Sequence, residues 1–141
     1  LFFGLNCYNR IMRYLGVDYG EKRIGVAISD SEGRMAFPKK TIFNRASKKV
    51  LEEIRSLIKE EEVSKVIIGL PLTFNGSDTE ETKTVRKFAE DLSKKTSTVI
   101  EFENEMLTSR MAERAGIKKE HVDESAAALI LQSYLDKQNK N

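Results

Sequence analysis

Asp18, Glu105 and Asp123 are the side chains of this sequence whose types and settings could carry chemistry. Asp18 ends the apolar run Tyr14-Leu15-Gly16-Val17. A carboxylate turned into a core is costly unless paired or bound to metal, so Asp18 either faces solvent or points into a site. Glu105 follows a strand-like apolar run, within Glu103-Asn104-Glu105, and Asp123 opens the last helical segment. If the first and fifth strands run parallel, Asp18 and Glu105 emerge at one end of the sheet, where the functional groups of open sheets gather. The start of the last helix can fold against that end. Three converging carboxylates repel one another unless cations lie among them. Two Mg²⁺ ions about 4 Å apart, bridged by a carboxylate, are a common solution for phosphodiester cleavage, one activating water and the other stabilising the leaving oxygen. Taken singly, each acid has a plainer explanation. Asp18 is a turn former before Tyr19-Gly20, Glu105 belongs to a solvated acidic stretch with Glu101 and Glu103, and Asp123 is a helix N-cap. Their chemistry depends on convergence.

The rest of the composition narrows the chemistry. There is one histidine (His121) and one cysteine (Cys7). That excludes an internal disulfide and a His- or Cys-based metal cage, and favours Mg²⁺ or Mn²⁺ held by carboxylates over Zn²⁺. The 141 residues suffice for one domain, and a net charge of +2 excludes a strongly basic nucleic-acid coat while allowing a local basic face. No apolar run reaches the roughly 20 residues of a membrane span. Residues 1–11 lack the basic start and cleavage site of a signal peptide. They are expected to be a non-native or disordered extension, with Met12 the biological start, the domain at 12–137, a polar tail at 138–141, and a cytoplasmic location.

The acids must be positioned by the elements around them. Tyr14–Val17 and Ile24–Ile28 read as strands flanking a polar turn, with Gly20 where a positive φ would be needed. Met35–Phe43 is a third strand, expected at an edge because Pro38 cannot donate a ladder hydrogen bond. These three form an antiparallel meander. Val50, Leu51, Ile54, Leu57 and Ile58 recur at helical spacing through Ser47–Glu61. Val63–Ile68 is a fourth strand, followed by Gly69-Leu70-Pro71 and a polar loop containing Asn75-Gly76. That loop reads either as substrate-facing or as an ordinary β-to-α connection, and no Walker A pattern accompanies it. Ser77 or Asp78 should cap the next helix, with Glu80 or Glu81 as capping-box partner. Its apolar face is Val85, Phe88, Ala89 and Leu92. A fifth strand at Thr96–Phe102, a short helix at Leu107–Ala115 closed by Gly116, and a final helix at Val122–Lys137 complete the order. The fold class is α/β, with a mixed five-stranded sheet flanked by helices.

Four stretches, in order, resemble the motifs of the YqgF (RuvX) family. They are Leu15-Gly16-Val17-Asp18-Tyr19-Gly20-Glu21-Lys22-Arg23-Ile24-Gly25-Val26-Ala27; Ile67-Ile68-Gly69-Leu70-Pro71-Leu72 with Asn75-Gly76; Asn104-Glu105-Met106-Leu107-Thr108-Ser109; and the run from Val122-Asp123-Glu124-Ser125 to Leu135. The resemblance implies an RNase H-like fold. It implies a nuclease that processes the 5′ end of pre-16S rRNA or resolves Holliday junctions, with Mg²⁺ or Mn²⁺ as cofactor. It assigns Asp18, Glu105 and Asp123 to the catalytic, metal-holding positions. Two residues depart from the pattern: Asn104 stands where the family usually has Asp, and Met106 where it usually has Arg. The first removes a carboxylate that could help hold metal, and the second a bidentate partner for phosphate. Lys22 and Arg23, in the turn after Asp18, are placed to meet a nucleic-acid backbone, with Lys39, Lys40 and Asn75 extending that surface. Arg45, Lys48 and Lys49 could extend it further. Such contacts give affinity and salt dependence rather than sequence preference.

Three function classes follow. The first is a metal-dependent endonuclease acting on structured RNA, with branched DNA as the alternative substrate. The second, motivated by Asn104 and Met106, is a nucleic-acid-binding module that has lost catalysis. The third is an actin- or sugar-kinase-like phosphotransferase, since a strand followed by Asp-x-Gly also opens that fold. Such enzymes normally enclose the nucleotide between two domains, and this chain has the length of one. Monomer and homodimer are both open, and a junction resolvase would favour a two-fold dimer.

Overall fold

Two apolar runs with a short polar turn between them give the first hairpin. The computed structural model, which describes residues 12–73, 75–104 and 122–140, forms β1 (Arg13–Tyr19) and β2 (Arg23–Ser29) from them. They pair antiparallel, Val17 opposite Val26 and Asp18 opposite Gly25. β3 (Ala36–Phe43) completes the meander. Its register breaks at Pro38: Val26 pairs with Lys40 and Ala27 with Pro38, leaving Lys39 as the extra residue of a bulge. β3 is an edge strand, as Pro38 requires, in the sheet order β3-β2-β1-β4-β5. β4 (Val63–Leu70) lies parallel to β1 with Ile68 opposite Val17, and β5 (Val99–Asn104) parallel to β4 with Phe102 opposite Ile68. The expected meander plus two parallel strands is therefore present, and β1 and β5 point the same way.

Strand alternation sorts the sheet into two faces. On one, Leu15, Val17, Ile24, Val26, Val66 and Ile68 meet α1 (Ser47–Glu60) and α2 (Glu80–Thr96) through Val50, Ile54, Leu57, Val85, Phe88 and Leu92. On the other, Ala27 and Ile67 meet α3 (Val122–Gln138) through Ala127, Ile130, Leu131 and Leu135. The second face carries smaller residues under α3. A Cβ on Gly16 would lie 2.7 Å from the Leu131 Cβ and 2.9 Å from the Ala127 carbonyl oxygen, so α3 sits directly on the sheet backbone there.

Several local expectations are corrected. Gly20 does not take a positive φ; among the described glycines Gly33 and Gly76 do. Gly20 is needed for space instead, because a Cβ there would lie 2.4 Å from the Arg23 carbonyl oxygen. The cap of α2 is neither Ser77 nor Asp78. Asp78 is held by Arg86 at 3.2 Å, and Thr79 caps the helix in a reciprocal box with Thr82 rather than with Glu80 or Glu81. β5 begins at Val99 because α2 continues through Thr96 and is closed by Ser97 in the left-handed region. Residues 1–11 and the helix expected at Leu107–Ala115 lie outside the described residues.

Glu101 and Glu103 are not a solvated stretch. Both face α3. Glu103 is 6% exposed and accepts hydrogen bonds from Ser133 Oγ at 2.7 Å and Lys137 Nζ at 2.6 Å. Glu101 accepts from the Tyr134 hydroxyl and from Lys65 Nζ, the latter at 3.2 Å. The Tyr134 hydrogen bond, helped by Lys65 and opposed by burial, holds the Glu101 carboxyl below its ordinary pKa. A depressed carboxylate contributes stability above its unfolded pKa, about 4.3, and loses it as pH falls through the folded value. Thermal unfolding should therefore show Glu101→Gln less stable than wild type at neutral pH, with the gap closing as pH falls from about 5 to about 3. A gap independent of pH would contradict this role for Glu101.

Candidate active site

Asp18 is the next-to-last residue of β1, and alternation places it on the same face as Gly16, beneath α3. Its strand partner Gly25 lies on that face too. A Cβ on Gly25 would lie 1.8 Å from the carbonyl oxygen of Asp123, 2.2 Å from its carbonyl carbon and 2.8 Å from the Glu124 nitrogen. The first turn of α3 thus rests on the bare α-carbon opposite Asp18. The second acid is brought to the first by a residue with no side chain.

Arg23, two residues before Gly25, projects from the same face. Its Nε lies 3.0 Å from Asp123 Oδ2, with the two side chains 51% and 24% exposed. A half-exposed pair of this kind is worth little as a stability device. Its value is positional, fixing the Asp123 carboxylate toward β2 and supplying the positive charge that two neighbouring acids need. Thr41, the β3 partner of Gly25, adds a buried hydroxyl that has no hydrogen-bond partner among the described residues.

The β1–β2 turn is held from β3. Asn44 Nδ2 donates to the Gly20 carbonyl at 2.9 Å, and the Asn44 backbone N–H donates to the Lys22 carbonyl at 2.9 Å. Lys22 and Arg23 consequently leave a fixed turn beside Asp18.

The expected residues do not all gather there. Asp18, Asp123 and Arg23 come together, with Lys22 next to them. Lys39 pairs with Glu61 and Lys40 with Glu53, each at 3.0 Å, so both are engaged with α1 or its C-cap. Asn75 is exposed in the loop after β4, where its side-chain oxygen accepts from the Thr73 hydroxyl. Because β4 parallels β1, that loop opens at the Asp18 end. Glu105 lies outside the described residues, one residue past Asn104 at the end of β5. Among the described residues no three acidic, imidazole or thiol groups are close enough to enclose a metal ion. The two acids present are hard oxygen donors. They suit Mg²⁺ or Mn²⁺ in chemistry.

Comparison with known proteins gives the chain its relatives. The family model described as "RuvX: Holliday junction resolvase" matches residues 12–137. A Nitratidesulfovibrio vulgaris protein named "Putative pre-16S rRNA nuclease" is 41% identical over 133 residues, covering 89% of this chain and 94% of its own. A Sulfurihydrogenibium protein of the same name is 43% identical, covering 89% and 90%. Among solved structures, Thermus thermophilus RuvC in complex with a Holliday junction substrate superposes with a TM-score of 0.62 at 9% identity, covering 92% of this chain and 97% of that one. The fowlpox virus resolvase bound to junction DNA does so at 0.55 and 14%, covering 92% and 100%. At these identities the structural likeness speaks for the fold, which is the RNase H-like one.

Because Gly25 faces backbone rather than a movable side chain, Gly25→Ala should push the start of α3 off the sheet. We expect a loss of roughly 3 kcal/mol, read as a fall in Tm on the order of 10 °C. A variant that melts with wild type would show that α3 does not rest on this carbon.

Proposed function

The chain belongs to the RuvX family, and from that premise we propose that it is a metal-dependent endonuclease of the cytoplasm that hydrolyses phosphodiester bonds in structured RNA, with the 5′ region of pre-16S rRNA as its substrate. The observation that carries the reading is the joining of Asp18 and Asp123 across Gly25 at the end of the sheet where β4 and β5 also end. The pre-16S substrate comes from the names of the relatives at 41% and 43% identity. Branched DNA is the second reading, favoured by the description of the matching family.

Asp18 and Asp123 would hold Mg²⁺ or Mn²⁺, with Glu105 as a third ligand. The bound ion would supply an activated water and charge stabilisation at the leaving oxygen. The chain's own residues do the rest. Arg23 orients the Asp123 carboxylate from 3.0 Å. Lys22, in the same turn, meets the phosphate backbone and aligns it with the acids. Asn75 borders the site from the β4 loop. Lys39 and Lys40, already paired with Glu61 and Glu53, contribute at most a weak field from β3.

Purified protein should cut a pre-16S rRNA fragment with Mg²⁺ or Mn²⁺ and stop cutting in EDTA. Asp18→Asn should lower cleavage by about 10³-fold or more, with RNA binding and Tm kept. An Asp18→Asn variant as active as wild type would refute the site. A four-way DNA junction cut in preference to the RNA would move the substrate to the second reading. RNA binding without cutting under any metal would leave a binding module in which Asn104 and Met106 have replaced catalytic groups.

A further inference from the structure

We propose that Phe43, Arg45 and Lys22 form a subsite for one unpaired nucleotide beside the acidic end of the sheet, the base stacked on Phe43 and its phosphate held by Arg45 and Lys22. The proposal rests on the nuclease reading above and adds to it the strandedness of the bound segment.

Phe43 is the last residue of β3 and is 62% exposed, more than any other large apolar side chain among the described residues. Its partner across the ladder is Arg23, so the two side chains leave the sheet on the same face, with Cβ atoms about 5 Å apart. Arg23 in turn touches Asp123 at 3.0 Å. Phe43 therefore stands one strand from Gly25, on which Asp123 packs, and two strands from Asp18, with its ring open to solvent.

The cations around the ring are placed for an anion. The Arg45 guanidinium lies 5.4 Å from the Phe43 ring centroid. Among the described residues neither Arg45 nor Lys22 has a carboxylate partner, whereas Lys39 and Lys40 are each paired. The two hydrogen bonds of Asn44 to the Gly20 and Lys22 carbonyls tie the turn carrying Lys22 to the strand end carrying Phe43. Glu21, Lys22, Arg23, Phe43, Asn44 and Arg45 line a cleft of about 680 Å³ there, within the size range of small-ligand sites. Glu21 is its one carboxylate among the described residues, against the three cations Lys22, Arg23 and Arg45.

An open aromatic face next to unpaired cations matches the way single strands are bound. Base stacking on an aromatic ring is strong and tolerant of sequence, and the cations track the backbone. Stacking needs a base whose face is free, which a base inside a duplex does not offer. The subsite therefore favours a single-stranded segment next to the bond to be cut.

The chain contains no tryptophan, so Phe43→Trp places a sole indole reporter at the subsite. In EDTA, where cutting is suppressed, a short single-stranded RNA and its DNA counterpart should both quench the indole. A blunt duplex should not. Phe43→Ala should weaken single-strand binding about tenfold by anisotropy of a labelled oligonucleotide, with Tm unchanged. Arg45→Ala and Lys22→Ala should each reduce the slope of log affinity against log salt by about 0.7. Indole emission that stays constant while the labelled strand binds would overturn the subsite and leave the nuclease reading standing. Equal quenching by the duplex would also overturn it. Failure of the wild-type protein to bind any of the three nucleic acids would bring down the nuclease reading and the subsite with it.

Discussion

The contact between the first turn of α3 and the bare α-carbon of Gly25 sets the arrangement of this protein. A helix normally stands off a sheet by the thickness of its side chains. Here the Asp123 carbonyl occupies the space that a Cβ on Gly25 would fill. Gly16 repeats the close approach further along, against Ala127 and Leu131. These two missing side chains let one helix lie low on the sheet and bring its first acid to the strand opposite Asp18.

Charge then fixes what packing has brought together. At one end Arg23 holds Asp123. Toward the β5 side, Glu101 and Glu103 bind Tyr134, Ser133 and Lys137, which are residues of the same helix. α3 is thus clamped by carboxylates of β5 and by an arginine of β2, with its apolar stripe between them. The polar network along β5 is structural. Asp123, at the start of the helix, is left outside that network and meets Arg23 instead, with the exposed Phe43 across the ladder from Arg23.

Much of this was legible in the sequence, and what was missed has physical causes. The order of elements could be read because the hydrophobic period changes cleanly from two to helical spacing after Phe43. Pro38 marked the edge. Asp18 stood out as an acid ending an apolar strand, and Asp123 as an acid opening a helix. Their convergence was not legible, because it depends on Gly25, whose importance lies in a contact with residues almost a hundred positions away. Gly20 was misread for a related reason, since a glycine required for space looks the same in sequence as one required for φ. Glu103 looked solvated because its partners Ser133 and Lys137 lie on a distant helix. Lys39 and Lys40 looked available because nothing local shows that Glu61 and Glu53 meet them. Phe43 passed for an ordinary strand residue, since exposure at a strand end depends on what the neighbouring helices leave uncovered.

The central claim is that Asp18 and Asp123 act as one site across Gly25. The most direct test is calorimetric titration of Mn²⁺ into wild-type protein, Asp18→Asn, Asp123→Asn and the double variant. Two acids sharing one ion should each lower its affinity when changed, and the double variant should bind scarcely worse than the weaker single one. Independent, additive losses, or Mn²⁺ binding that neither substitution alters, would contradict the account.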